Sequence, residues 1–356
     1  MKRLLFVYLK PASFVREDLA ILSEKADLRT FRFAEDVKPG PLRLAATFAR
    51  QLVWLIRELR ASDGVYGWFA DYHMVLPVLA ARVFRKPVVV AVGGFDAISL
   101  PVLGYGVFLS SWRAPLARFV LTQADVLLPV SPSLVHSTNT FSEWPETTEQ
   151  GISVFAPASR AEIRVIPTGY DPERWPLGPA VRGHVVSTVG HFDSDRTLLR
   201  KGVDLFIKAA ARMPETEFRI VGVPDPERVR KQYRTSSNVH LVPAVERDKL
   251  VRHYHDTSVY VQLSRAEGLP NVLCEAMMCG CIPVGSRAFG IPDGIGDAGF
   301  VVNAPDVDDV VEAIRLALSV GPERRAAARR HVIDHFDRER RRRSLHAIVD
   351  SLRDVT

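Results

Sequence analysis

The sequence predicts an α/β protein made of two successive doubly wound units. Three observations carry this. Short apolar runs alternate with longer stretches of helical period along the chain. The alternation breaks once, at the Pro- and Gly-rich stretch PTGYDPERWPLGPAVRG (167–183), and then resumes. The length, 356 residues, also exceeds the roughly 250–300 that one hydrophobic core organises.

In chain order, the first half predicts strands at Arg3–Leu9, Leu28–Phe33, Gly64–Ala70, Pro87–Val92, Asp125–Val130 and Ile163–Pro167. Helical patterns occupy Leu42–Arg60 and Tyr72–Phe84 between them. The start, MKRLLFVYLK, has a basic beginning, but its apolar run is short and lacks a small-residue cleavage site, so it reads as a buried strand. Residues 136–162 are polar and without period, and read as a long surface loop with no assigned chemistry. After the linker, strands are expected at His184–Val189, Glu217–Val221, Val239–Val242, Val259–Leu263 and Ile282–Gly285. Helices fall at Val203–Arg212, Glu246–Tyr254, Asn271–Cys279 and Val307–Ser319, and 322–356 continues as helix. The resulting division is a first domain over 1–172, a linker over 173–183, a second domain over 184–325 and terminal helices over 326–356.

Composition narrows the classes. The chain is 47% apolar and 25% charged, as in ordinary globular proteins. The net charge of +6 is spread evenly, with 20 bases against 17 acids in residues 1–180 and 27 against 24 in 181–356. That argues against a basic nucleic-acid domain, while leaving a surface tolerant of anionic ligands or lipid. No apolar run reaches the 18 or so residues that span a bilayer. Cys274, Cys279 and Cys281 fit neither a zinc spacing nor a disulfide framework, and read as buried, reduced thiols in a cytoplasmic protein.

Two stretches carry chemistry. In SRAEGLPNVLCEAMMCG (264–280), Glu267 follows a buried strand and Glu275 lies about one turn into the next helix. Gly268 allows close backbone approach and Pro270 suits the first turn of a helix from Asn271, whose N–H groups form an anion site. Two acids around such a start suit a polyhydroxylated ligand bearing phosphate; a helix cap beside a solvated glutamate accounts for the spacing equally well. In VGHFDSDRTLLRKGVDLF (189–206), a strand ends at Gly190 and Arg200-Lys201-Gly202 opens a helix, a place for cations to hold a diphosphate. A loop of solvated charges is the alternative there.

Taken together, these stretches resemble the retaining glycosyltransferases of family four. SRAEGLPNVLCEAMMCGCIPVGS is similar to their Glu-x7-Glu signature, and ADVLLPVS (124–131), VIPTGYDPERW (165–175), VGHFDSDRTLLRKGVDLFIKAA (189–210) and FRIVGV (218–223) follow in the family's order. The likeness is close over about 120–320 and loose over the first hundred residues. It implies the GT-B fold, two Rossmann-like domains facing a cleft, with the last helix crossing back to the first domain. It implies that Glu267 faces the transferred sugar, that Gly268, Leu269, Pro270 and Asn271 present backbone groups to the donor, and that Glu275 holds the ribose. It further implies that Lys201 neutralises the departing diphosphate and that the segment around Pro243 and Val245 receives the base.

The chain departs from the family in three places. His191 stands where many relatives carry arginine, so a second cation is expected from Arg196 or Arg200. Gly93 replaces a histidine near the reacting sugar; Gly94, Asp96 and His73 are the candidates for the acceptor side, although His73 reads more naturally as a capping or packing residue. LKPASFVRED (9–18) replaces the usual glycine-rich first loop.

The activity implied is transfer of a hexose-type sugar from a nucleoside-diphosphate sugar to an acceptor hydroxyl, in glycan, glycolipid or glycoside synthesis. No cofactor and no metal are expected; DSD (193–195) has metal-motif spacing but sits in a long loop. The acceptor is a sugar or a lipid-linked sugar. For the latter the helix LRLAATFARQLVWLIRELR (42–60), with arginines at 43, 50, 57 and 60 and Phe48, Trp54 and Leu55 among them, would lie on the inner face of a membrane. Packing of that helix on the sheet with snorkelling arginines is the simpler account. The run Arg338–Arg343 reads as a solvated helix face. Rival functions are a GT-B epimerase, a phosphorylase, or a non-catalytic sugar-nucleotide-binding partner subunit.

Overall fold

A computed structural model describes residues 1–33, 40–144, 149–180 and 182–352. It forms two compact units, one of 1–137, 149–168 and 339–356, the other of 138–148 and 169–338.

The first unit runs β1 (Lys2–Tyr8), α1 (Ser13–Ser23), β2 (Ala26–Arg32), α2 (Pro41–Glu58), β3 (Gly64–Trp68), α3 (Val75–Val83), β4 (Val88–Val92), α4 (Arg113–Gln123) and β5 (Val126–Pro129). The short pieces β6 (Ser137–Thr138), β7 (Glu149–Gln150), α5 (Ile152–Phe155) and β8 (Glu162–Ile163) follow. The sheet is parallel in the order β2-β1-β3-β4-β5-β8. Every residue of β3 (GVYGW) and β4 (VVVAV) is buried, as central strands covered on both faces require.

Three features of this unit differ from the sequence reading. Helices α1 and α4 are not among the helical patterns named from the sequence, because their apolar residues fill barely three turns each. The strand expected at 163–167 shrinks to two residues at the sheet edge, where Ile163 and Val165 are exposed and Pro167 ends pairing. The 136–162 stretch is not a plain loop: it carries short elements and is shared between the units, its part in the second unit burying Phe141 completely. Helix α2 packs as expected, with Trp54 against Phe31 and Phe48 against Phe33 at ring distances of 5.3 and 4.9 Å. The large aromatics thus face the protein and not solvent.

The second unit contains β9 (Val185–Val189), α6 (Asp195–Arg200), α7 (Val203–Ala211), β10 (Glu217–Val221), α8 (Pro226–Tyr233), β11 (Val239–Val242), α9 (Arg247–Asp256) and β12 (Val259–Gln262). It continues through α10 (Asn271–Met278), β13 (Ile282–Ser286), α11 (Ile291–Ile295), β14 (Phe300–Val302), α12 (Val307–Ser319) and α13 (Pro322–Phe336). Its parallel sheet has the order β11-β10-β9-β12-β13-β14. Five of these strands were expected; three-residue β14 is too short to show in the pattern. All three cysteines are buried and unpaired. No helix among the described residues is long and apolar enough to cross a membrane.

The last helix, α14 (Arg338–Ser351), returns to the first unit from Glu339 onward, while α13 stays with the second. The basic run is therefore not a uniformly solvated face. Arg341 is buried, and its Nε and Nη2 donate to the two oxygens of Asp18 on α1, each at 2.7 Å. Asp18 also accepts from the Tyr66 hydroxyl (2.6 Å) and Trp68 Nε1 (2.8 Å), and Arg341 Nη1 donates to the carbonyls of Ile166 and Pro167 (2.8 Å each). Every polar atom of this buried pair that these bonds reach is answered, the condition under which such a pair is tolerated. Removing one partner strands the other charge. Arg341→Met should destabilise the first unit by about 3–5 kcal/mol in urea unfolding, and Asp18→Leu with Arg341→Met by less than the two single changes together. Equal and additive losses would show that the pair is not coupled.

Candidate functional site

In the second unit the strand order reverses at β9, which pairs with β10 on one side and β12 on the other. The loops leaving β9 and β12 therefore diverge at the carboxyl edge of the sheet, the place where open α/β sheets leave a crevice. Backbone geometry fixes what lines it. Gly222 follows β10 with φ 101°, and a Cβ there would overlap the carbonyl oxygen of Gly190. Gly202, the N-cap of α7, has φ 70°, and a Cβ there would overlap the carbonyl of Leu263 at the end of β12. Only glycine lets the α6–α7 corner press so close to that strand.

The consequence is a charge cluster. Lys201 Nζ donates to Glu267 Oε1 at 2.5 Å, and Arg200 Nη1 lies 3.6 Å from the same oxygen. All three side chains are only 14–16% exposed. Arg200 also donates to the Ala266 carbonyl (3.2 Å). From inside the sheet, Tyr260 OH donates to Gln262 Oε1 (3.0 Å), Gln262 Nε2 to Ser264 Oγ (2.6 Å), and Ser264 Oγ to Glu267 Oε1 (3.1 Å). Burial opposes ionisation of Glu267, but the Lys201 and Arg200 charges and these hydrogen bonds outweigh it and hold its pKa below the ordinary value.

Glu275 lies in different surroundings. It stands one turn into α10, half-buried, beside Tyr254, with Arg247 of α9 as its nearby positive charge. Burial dominates and pushes its pKa up to about 7; Arg247 and a hydrogen bond from Tyr254 only soften the rise. The α10 start carries Asn271, whose Oδ1 accepts from the Tyr170 hydroxyl (2.7 Å), leaving the Gly268–Pro270 turn between the two acids.

The other expected residues are placed as follows. Gly190 ends β9 and Arg200 and Lys201 reach Glu267, whereas Arg196 is exposed on α6. His191 is exposed, 3.7 Å from Asp193. Asp193 accepts from Thr197 and Asp195 pairs with Arg228, so the DSD stretch is committed locally. Pro243 and Val245 lie in the loop between β11 and α9, just before Arg247. In the first unit, Asp96 is fully buried and accepts from the backbone N–H groups of Ala70 (2.9 Å), Gly93 and Gly94 (3.1 Å each), tying the ends of β3 and β4. His73 is also fully buried, its Nε2 2.9 Å from the Trp68 carbonyl, and burial takes its pKa down to about 4. Neither side chain is open to a ligand, which corrects their reading as acceptor-side contacts: both shape the strand ends from within.

One residue that sequence reasoning missed is Arg265. It is 1% exposed, and its guanidinium donates to Asp204 on α7 (2.8 and 2.9 Å), to the Leu199 carbonyl (2.5 Å) and to Glu143 (2.8 Å). Its own N–H donates to the Arg200 carbonyl at 2.7 Å. An arginine directly after an apolar strand was the available signal. Glu143, inside the stretch taken as inert, had none.

Residues 192–331 match the family model described as "Glycosyl transferases group 1". The D-inositol 3-phosphate glycosyltransferase of Mycobacterium sp. (strain KMS) is 28% identical over 314 residues, 83% of this chain and 65% of that protein. The chain thus spans about two thirds of that relative's length. A GDP-mannose-dependent phosphatidylinositol monomannoside mannosyltransferase of Mycolicibacterium smegmatis is 29% identical over 199 residues, 49% of this chain and 51% of that protein. Among solved structures, sucrose-phosphate synthase of Thermosynechococcus elongatus superposes with a TM-score of 0.75 over 100% of both chains at 17% identity. Anabaena HepE in complex with UDP and glucose superposes at 0.73 over 99% of this chain and 100% of that one, at 14% identity. The structural likenesses show the fold: the two Rossmann-like units of the GT-B architecture.

The Glu275 carboxyl sets a sign that can be checked. Its folded pKa of about 7 lies above the ordinary 4.5, so the folded state favours the neutral acid. Stability from this group is full below pH 4.5 and is lost as pH rises through 7. Glu275→Gln should therefore melt higher than wild type above pH 7 and match it near 4.5 in a pH series of thermal melts. A gap that does not change with pH would remove burial as the cause.

Proposed function

We propose that the chain is a retaining glycosyltransferase that moves a hexose-type sugar from a nucleoside-diphosphate sugar to an acceptor hydroxyl. The observation that carries this is the cluster of Lys201, Arg200 and Glu267 where the strand order reverses, followed by a second acid of opposite character one turn into α10. The names of the relatives, glycosyltransferases that include one using GDP-mannose, and of a structural neighbour holding UDP and glucose, support a nucleotide-sugar donor.

In this reading the diphosphate lies against the start of α10 and draws Lys201 and Arg200 from Glu267 onto its oxygens. The bond between the anomeric carbon and the diphosphate oxygen breaks with the electron pair leaving on the diphosphate. The acceptor oxygen bonds the same carbon on the same face, and its proton passes to the departing diphosphate. Positive charge grows on the sugar while negative charge grows on the leaving group, so fixed cations and helix-start N–H groups lower the barrier. Glu267, released from Lys201, faces the sugar as an electrostatic and hydrogen-bonding partner and forms no covalent bond to it. Glu275, in its ionised form, accepts from the ribose hydroxyls, and the backbone around Pro243 and Val245 meets the base. Because the chain supplies the cations itself, no metal takes part.

Thermal shift with UDP, GDP and ADP, followed by transfer assays with the matching sugar conjugates, tests the proposal. One nucleotide family should stabilise the protein, and EDTA should leave both binding and transfer unchanged. Lys201→Ala should lower kcat by about 10²–10³-fold. Glu267→Ala should abolish transfer while largely sparing nucleotide binding, and Glu275→Ala should weaken the binding itself. Nucleotide binding without transfer to any acceptor, in wild type, would favour a non-catalytic sugar-nucleotide binder.

A further inference from the structure

Helix α2 is apolar on the side it turns to solvent. Its protein-facing side is accounted for by the buried Gln51 and Leu55 and by the packed Phe48 and Trp54. On the opposite side Leu42 is 87% exposed, Ile56 59%, Val53 47% and Leu52 44%, with Ala45, Ala46 and Ala49 exposed between them. At about 100° per residue these seven positions share one arc of roughly 120°. Arg43, Arg50 and Arg57, spaced by sevens, form a row along one edge of that arc, and exposed Arg60 follows the helix. Residues 41–57 contain no acid. The neighbouring α3 adds exposed Leu79 and Val83 with Arg82.

A helix packed on a sheet normally turns its polar face outward. Here water meets leucine, isoleucine and valine along the helix, bordered by guanidinium groups of one sign. We infer that this face docks on an anionic lipid bilayer, the apolar arc entering the headgroup boundary and the arginines meeting lipid phosphates. Charge decides for a membrane over a second copy of the chain. A two-fold contact through this face would set two arginine rows together with no acid in 41–57 to answer them. The inference needs nothing from the charge cluster of the second unit and stands apart from the proposed transfer reaction.

Co-sedimentation of the full chain with phosphatidylcholine vesicles, with and without about 30 mol % phosphatidylglycerol, tests it. The wild type should pellet with anionic vesicles, far less with neutral ones, and less as salt rises. Leu42→Ser with Ile56→Ser should lower the partition about tenfold or more with little change in Tm, since these are the two most exposed apolar side chains of the arc. Charge reversal at Arg43, Arg50 and Arg57 should lower it by about fivefold per site or more. Wild-type protein that ignores anionic vesicles, or variants that bind them equally well, would overturn the inference. So would a wild-type dimer in analytical ultracentrifugation that the Ser variants split, with no vesicle binding by either. Nucleotide thermal shift on the same variants should be unchanged, which keeps this result separate from the transfer activity.

Discussion

The site depends on how closely the α6–α7 corner can approach β12. Gly202 removes the Cβ that would strike the Leu263 carbonyl, and its left-handed φ turns the chain out of α6 and into α7 at that point. Arg265 then closes the contact from the other side, binding the corner through its backbone N–H and through its guanidinium on Leu199 and Asp204. With both in place, Lys201 has little choice but Glu267. A side chain at 202 would strike the Leu263 carbonyl and push away the corner that carries Lys201. Arg265 is costly to bury, yet six hydrogen bonds to two carboxylates and a carbonyl answer its guanidinium and offset that cost.

From that constraint follows the contrast between the two acids of one short motif. Glu267 leaves a strand end into a place crowded with donors, so its charge is welcome and its proton is lost easily. Glu275, one turn into α10, rests beside Tyr254 with one positive charge nearby, so burial prevails and its proton is held to about pH 7. Eight positions of sequence separate them, but the difference arises from what the strand order brings alongside. Two acids of unlike affinity for protons are what a ligand with a phosphate near one end and neutral hydroxyls at the other would use, since only the first acid must compete with phosphate for cations.

Much of this was legible in the sequence. The alternation of apolar runs gave the two doubly wound units, because central parallel strands are buried on both faces and cannot hide their composition. Glu267, Glu275, Lys201 and Gly202 stood out because each falls at a strand end or a helix start. What stayed hidden was either short or relational. Helices α1 and α4 and strand β14 bury too few residues to make a period. The Asp18–Arg341 pair joins positions more than three hundred residues apart, and a run of arginines on a helix gives no sign that one of them is buried. Glu143 is a surface-looking acid in a polar stretch until Arg265 is placed beside it. On α2 the period was legible, but which side of the helix met the sheet was not, since both sides are apolar.

The two units also spend their strand ends differently, and this explains why the charge chemistry belongs to the second. At the ends of β3 and β4 in the first unit, Asp96 accepts from the N–H groups of Ala70, Gly93 and Gly94, donors that would otherwise be offered to an anion. Phe69 takes a left-handed φ of 71°, rare for an aromatic residue, and lays its ring where a Cβ on Gly93 would have to go. A histidine at 93 would collide with that ring, so the substitution of glycine and the placement of Phe69 form one arrangement. An internal carboxylate and an aromatic ring thus satisfy from within what the second unit leaves to Lys201, Arg200 and a helix start. At these strand ends the first unit's backbone donors are answered by Asp96, whereas in the second unit Lys201 and Arg200 gather on Glu267 at the carboxyl edge of the sheet.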